Sequence, residues 1–162
     1  MNTEVLEILR EALLAYGAPV LGAFVFIVAL GVPLPGSMSL VAAGVLARQG
    51  HLALVGTVIL ALLGAGLGDS LGFAIGYFAS ENRRQLWRSR PRWQRAADLF
   101  CRYGVWLILL LRTVFTSVTL PFNLAAGISG LPYRRFLVFN LMGVALWVAC
   151  YFGLGYVLGA SF

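Results

Sequence analysis

Charge is what this sequence has least of. Only 11% of its residues are charged, against about 25% in ordinary soluble chains. Lysine is absent, and all 12 basic residues are arginine. There is one histidine, His51, and there are two cysteines, Cys101 and Cys150, with no CxxC or His-rich spacing. That excludes a disulfide framework and leaves no metal set to name. A positive region ahead of the first apolar run is also missing, since Glu4, Glu7 and Glu11 stand there, so the N-terminus is not a secretory signal. What fills the chain instead is apolar: 60% of 162 residues, with a mean hydropathy of +0.89. A soluble fold of this size leaves too much surface in water to hide that fraction. Disorder and a soluble enzyme are therefore excluded, and an all-α integral membrane protein is expected. The net charge of +6 would suggest nucleic acid on a soluble chain. Here the arginines cluster in membrane-flanking loops, so orientation and anionic headgroups are the better reading, and no nucleic-acid partner is expected.

Charge gaps give the spans. Residues 12–47 carry no charge. A membrane helix needs about 20 residues, so this run is too long for one span and too short for two. Gly31-Val-Pro-Leu-Pro-Gly36 interrupts it, and two prolines so close cannot continue a helix. The economical reading is a re-entrant hairpin over 15–48, turning at Pro33, Pro35 and Gly36, after an interfacial helix over 1–14. Residues 52–80 make a transmembrane helix. Residues 81–102 make a cytoplasmic amphipathic segment with seven arginines and with Trp87 and Trp93 at headgroup depth. A second re-entrant hairpin over 103–133 is broken at Thr119-Leu-Pro121-Phe-Asn123, and 136–161 is the last span. The alternative for 15–48 is one full span followed by an external loop.

The two halves resemble each other. Leu40-Val-Ala-Ala-Gly44 follows the first proline turn, and Leu124-Ala-Ala-Gly127 follows the second. Hairpin plus span, twice, implies an inverted repeat, which in secondary transporters puts the site at the repeat interface. Nine arginines then share one side, with both termini on the other, and the positive-inside rule makes the first side cytoplasmic.

Asp69 and Arg112 are the charges furthest from any loop. Each costs roughly 2.5–3.5 kcal/mol at a helix centre, so an ionisable group there is a functional candidate by default. The two readings are a structural ion pair, or Arg112 holding an anionic headgroup with Asp69 as a coupling or gating acid. Gly64, Gly68, Gly72 and Gly76 form a GxxxG stripe for close helix packing, and it points Asp69 into the bundle. Ser37, Ser39, Thr116, Ser117, Thr119 and Asn123 lie near the tips. They either bind a headgroup or cap broken backbone. A hydrolase would have to recruit His51 with Asp69, about 27 Å away if the stretch between is helical, which does not make a triad.

Three blocks resemble the DedA family, also called the VTT or SNARE-associated membrane family: GVPLPGSMSLVAAGVLA (31–47), GAGLGDSLGFAIGYFAS (64–80) and LPFNLAAGISGLPYRRFLVFNLMGVALWVACYFGLGYVLG (120–159). The resemblance implies two facing re-entrant hairpins and movement of phospholipid or polyprenyl phosphate across the inner membrane, linked to protons. Arg112 matches the family's first hairpin arginine, whereas its second falls near Thr119. Ile27-Val28-Ala29 stands where the family has a glutamate, and Ser37 where it often has an acid. These departures bear on the proton coupling. The final hydrophobic helix of many members has no counterpart after Gly155-Tyr156. The expected function is a membrane lipid flippase or scramblase, most simply for undecaprenyl phosphate or phospholipid, and not an enzyme, with no cofactor and no metal. The alternatives are a non-transporting scaffold for envelope integrity and a membrane-embedded enzyme. Whether the chain forms a homo-oligomer is left open by the sequence.

Overall fold

The computed structural model describes residues 2–79, 119–128 and 131–160. Within them the chain is helical, with six helices: α1 Asn2–Tyr16, α2 Ala18–Ala29, α3 Gly36–Arg48, α4 Leu54–Ala79, α5 Thr119–Ile128 and α6 Tyr133–Leu158. The amphipathic segment over 81–102, the first half of the second hairpin, Arg112, Thr116 and Ser117 lie outside the described residues.

Only α4 and α6 are long and apolar enough to cross a membrane among the described helices. Each has 26 residues, about 39 Å at 1.5 Å per residue. Helices α2, α3 and α5 have 12, 13 and 10 residues, roughly 15–20 Å, which falls short of the ~30 Å hydrocarbon core.

The ends of the helices follow from local chemistry. Gly17, at φ 73°, ends α1 and donates its N–H to Leu13 O at 2.9 Å. Helix α3 ends in a Schellman motif. Gly50 takes φ 81° and donates to Ala47 O, and His51 donates to Leu46 O at 3.0 Å. That motif delays α4 to Leu54, two residues later than charge alone suggests. Helix α6 starts three residues earlier than expected. Pro132 is its N-cap, so Tyr133-Arg134-Arg135 form the first turn rather than a loop. Arginines there oppose the helix dipole, so the membrane surface, not helix stability, accounts for them.

Two of the expected tip residues are helical. Gly36 is the first residue of α3, with Pro35 as N-cap, and the loop proper is Leu30–Pro35, where Gly31 takes φ 91°. Pro121 is the third residue of α5, and the residues before Thr119 lie outside the described ones. A first-turn proline loses no helical hydrogen bond, because that N–H has no partner in the helix.

Packing runs both within the first half of the chain and between the halves. Helix α2 lies on the first half of α4, where Gly22 meets Gly64 backbone to backbone, and a side chain at Gly68 would meet Ala29 Cβ at 2.6 Å. Helix α5 lies on the second half of α4, and α3 lies on α6. The last two interfaces are built alike. A Cβ at Gly127 would strike Phe73, Gly76 and Tyr77 of α4, and a Cβ at Gly44 would strike Phe152, Gly155 and Tyr156 of α6. In reverse, Gly76 faces Leu124 and Gly155 faces Val41, each three residues before its partner glycine. The same Ala-Ala-Gly segment thus seats on the same Phe-x-x-Gly-Tyr sequence twice, each time across the two halves. A buried core of Leu13, Leu21, Val25, Leu40, Val144, Trp147 and Phe152 fills the space around α3 and α6. Outward, α4 presents Val55, Ile59, Leu63, Leu67, Leu71 and Ile75, all exposed.

Adding one methyl at these contacts should be costly. Gly76→Ala or Gly155→Ala should destabilise by about 1–3 kcal/mol through overpacking. Gly153→Ala, on α6 with nothing within 4 Å of its Cβ, should be neutral or stabilising by up to ~1 kcal/mol from helix propensity. Thermal scans of the detergent-solubilised protein, read by size exclusion, measure the ranking. Equal midpoints for all three variants would contradict this packing.

Candidate functional site

A carboxylate in the middle of a membrane helix needs a donor, because no water is at hand to replace one. The small-residue face of α4 brings one in. Asp69 lies on that face, fully buried. One turn further on, Gly72 leaves room for α5, and a Cβ there would lie 3.2 Å from Asn123 Cβ and 3.3 Å from Leu120 Cδ1. Asn123, itself 2% exposed, uses that approach to donate its Nδ2 to Asp69 Oδ1 at 2.8 Å.

Asn140, 1% exposed, adds a third buried polar side chain on α6. The α4–α6 contacts fix its depth. Phe73 stacks on Phe136 at 4.5 Å, while Gly66 faces Leu141 at 3.5 Å, so the helices run antiparallel and Asn140 sits at the level of Asp69. Asn140 is a candidate functional residue beyond those expected from the sequence, where its signal is an asparagine inside an otherwise apolar span.

The remaining sequence candidates divide. Thr119 opens α5, half-buried, one turn before Asn123. Ser37 accepts the Trp147 indole N–H at 3.3 Å, which ties α3 to α6. Ser39 donates to Gly36 O at 2.6 Å, within its own helix. The Leu30–Pro35 loop and α5 adjoin, with Gly31 against the Leu120 side chain; a Cβ at Gly31 would lie 2.7 Å from it. Pro33 is exposed and Pro35 half-buried on that loop. His51 is exposed in the link before α4, far from buried Asp69.

The repeated packing makes this polar pair asymmetric. Counting from the matched glycines, Asn123 corresponds to Leu40 and Asp69 to Val148, and both of those are buried apolar residues. One of the two interfaces carries a carboxylate and an amide where the other carries two hydrocarbon side chains. Packing alone is thus satisfied without polar groups at this register, and the Asp69–Asn123 pair is an addition to the frame.

Asn123→Leu copies its counterpart and keeps the volume, but removes this donor. It should lower stability by about 1 kcal/mol, the usual net contribution of one hydrogen bond. Asn123→Ser, which keeps a donor, should lose less on the same thermal scan. If Asn123→Leu is as stable as the parent, the bond to Asp69 contributes nothing.

The VTT domain family model matches residues 34–157. Inner membrane protein YqjA of Escherichia coli (strain K12) is 37% identical over 110 residues, 65% of this chain and 49% of that protein. A membrane protein of Synechocystis, slr0232, is 33% identical over 109 residues, 64% of this chain and 50% of that protein. Inner membrane protein YghB of E. coli K12 is 44% identical over 66 residues, 40% of this chain and 29% of its own. The chain spans about half the length of the first of these relatives. No solved structure matches significantly. With most of its length under the VTT model and its two long apolar helices, the chain belongs to the VTT-domain family, the DedA family, and is a bacterial inner-membrane protein.

Proposed function

We propose that this chain moves a phosphate-bearing lipid, undecaprenyl phosphate or a phospholipid, across the inner membrane, as a transporter and not as an enzyme. The observation that carries the reading is the repeated interface: Gly44 on Phe152-Gly155-Tyr156 and Gly127 on Phe73-Gly76-Tyr77. Two equivalent contacts swapped between halves support an inverted repeat of re-entrant hairpins over 15–48 and 103–133. The short α2, α3 and α5 support hairpins that enter the bilayer without crossing it. In such repeats the substrate lies at the interface near the midplane, the depth at which Asp69 and Asn123 meet.

In this reading Arg112 receives the lipid phosphate through its bidentate donors. Asp69, held by Asn123, is the acid that gates or couples the movement, and Ser37, Thr116 and Thr119 line the path. The arginines of 81–102, with Arg134 and Arg135, face the cytoplasm. Anionic headgroups in that leaflet are the interaction partners.

Two experiments test this. Single-cysteine labelling should place Arg88 and Arg134 on the cytoplasmic side and Gly50 and Phe162 opposite. Labelling of Gly50 and Arg88 from the same side removes the inverted repeat. Liposomes with labelled undecaprenyl phosphate or phospholipid should show translocation by the parent. They should show none by the double variant Asp69→Asn with Arg112→Gln, compared at equal amounts of monodisperse protein. A stable, fully active double variant would remove the headgroup role from Arg112 and favour a scaffold.

A further inference from the structure

The contacts that hold the helices together are of two kinds. Several are backbone on backbone and cannot yield unless a whole helix moves: Gly22 on Gly64, Gly76 on Leu124, Gly155 on Val41. One is made by the end of a flexible side chain. Leu120, half-buried in the first turn of α5, lies between Gly31 of the Leu30–Pro35 loop and Gly72 of α4. A Cβ at Gly31 would lie 2.7 Å from Leu120 Cδ2 and 2.8 Å from its Cβ, and a Cβ at Gly72 would lie 3.3 Å from its Cδ1. Gly31 and Gly72 contribute only backbone, so one leucine side chain makes the contact, and a leucine changes rotamer without a helix moving.

Behind Leu120 lies the polar pair. Asn123 meets the same Gly72 one turn further along α5 and donates to Asp69 at 2.8 Å. Asp69 stands between Gly72 and Gly68, which faces Ala29 at the end of α2. In front of Leu120 the loop is open, with Val32 42% exposed and Pro33 exposed. Leu120 therefore stands between an exposed loop and a fully buried carboxylate. The matched interface is closed by other means. Counting from the paired glycines, Leu120 corresponds to Ser37, and Gly68 and Gly72 correspond to Trp147 and Tyr151. There two large rings fill the wall, and the Trp147 N–H is fixed on Ser37 Oγ at 3.3 Å. The apolar interface is closed by a hydrogen bond, whereas the interface that holds the carboxylate is closed by hydrocarbon. A hydrocarbon plug has no hydrogen bond to break when it swings out.

We propose that Leu120 is a gate on the Asp69–Asn123 pair. It closes the pair against water and lipid headgroups on the side of the Leu30–Pro35 loop and admits them when its side chain turns away. The proposal rests on the reading of that pair as the working centre of a transporter and adds what regulates access to it.

The test is the reactivity of Asp69 towards a water-soluble carbodiimide and an amine. It is measured in nanodiscs, mapped by mass spectrometry and normalised to the exposed Glu7 and Glu11. In the parent, Asp69 should react sparsely; labelling as heavy as at Glu7 would overturn the gate. Leu120→Ala should raise Asp69 labelling about tenfold, by favouring the locally open state. Leu120→Met, of similar volume, should not. Leu40→Ala, an equal truncation in the matched interface, should leave it unchanged. The gate is overturned by unchanged labelling in a monodisperse Leu120→Ala protein, or by an equal rise in Leu40→Ala, which would mean general loosening. If Leu120→Ala does not fold, a cysteine pair decides. Gly31→Cys with Leu120→Cys, in a chain carrying Cys101→Ala and Cys150→Ala, puts two Cβ atoms closer than the ~3.8 Å of a disulfide, so a small shift of the loop lets one form. Reduced, this protein should label at Asp69; oxidised, it should not. Equal labelling in both states overturns the proposal, as does failure of the bridge to form. None of these readouts needs transport. A parent that moves no lipid removes the proposed function and leaves the gate to be judged by these reactivities.

Discussion

The whole arrangement depends on backbone touching backbone. In lipid, apolar side chains gain little by leaving one hydrocarbon environment for another, so helices associate through close packing and the polar contacts it allows. Here that closeness comes from glycine facing glycine or bare carbonyl: Gly22 with Gly64, Gly76 with Leu124, Gly155 with Val41. The polar pair is a consequence. Asn123 reaches Asp69 only because Gly72 and Gly76 let α5 settle on α4. The exposed ridge of Val55, Ile59, Leu63, Leu67, Leu71 and Ile75 is the complement of this design. It would be a liability in water, but in a bilayer it frees the opposite face of α4 to be almost entirely small.

Much of this was legible in the sequence because the bilayer imposes length and charge rules that a chain cannot evade. Residues without charge marked α4 and α6 to within a few positions, and the glycine stripe gave the direction of Asp69 before any coordinates. Helix α6 begins ahead of the first uncharged position because Pro132 caps it and draws Arg134 and Arg135 into its first turn. Pro121 is accommodated in α5 because a proline near the start of a helix costs it little.

The harder information was relational. The matched Ala-Ala-Gly segments were visible, but that each seats on a Phe-x-x-Gly-Tyr stretch of the opposite half was not, although both copies stand in the sequence. Periodicity identifies which face of a helix is buried, not what buries it. The same gap hid Asn140, whose depth beside Asp69 comes from stacking between Phe73 and Phe136, and the unlike contacts of Leu120 and Ser37.

The crossed seating also sets a timetable. Ser37 and Trp147, which meet across the α3–α6 interface, are 110 residues apart in the chain. At bacterial translation speeds of about 5–20 residues per second, α3 leaves the ribosome roughly 5–20 s before its partner exists. During that interval a short helix with an uncovered glycine face must be held by α2 and α4, by lipid or by the insertion machinery. Helices α2 and α4 can pack as soon as both exist, but the α3–α6 contact closes only when α6 arrives.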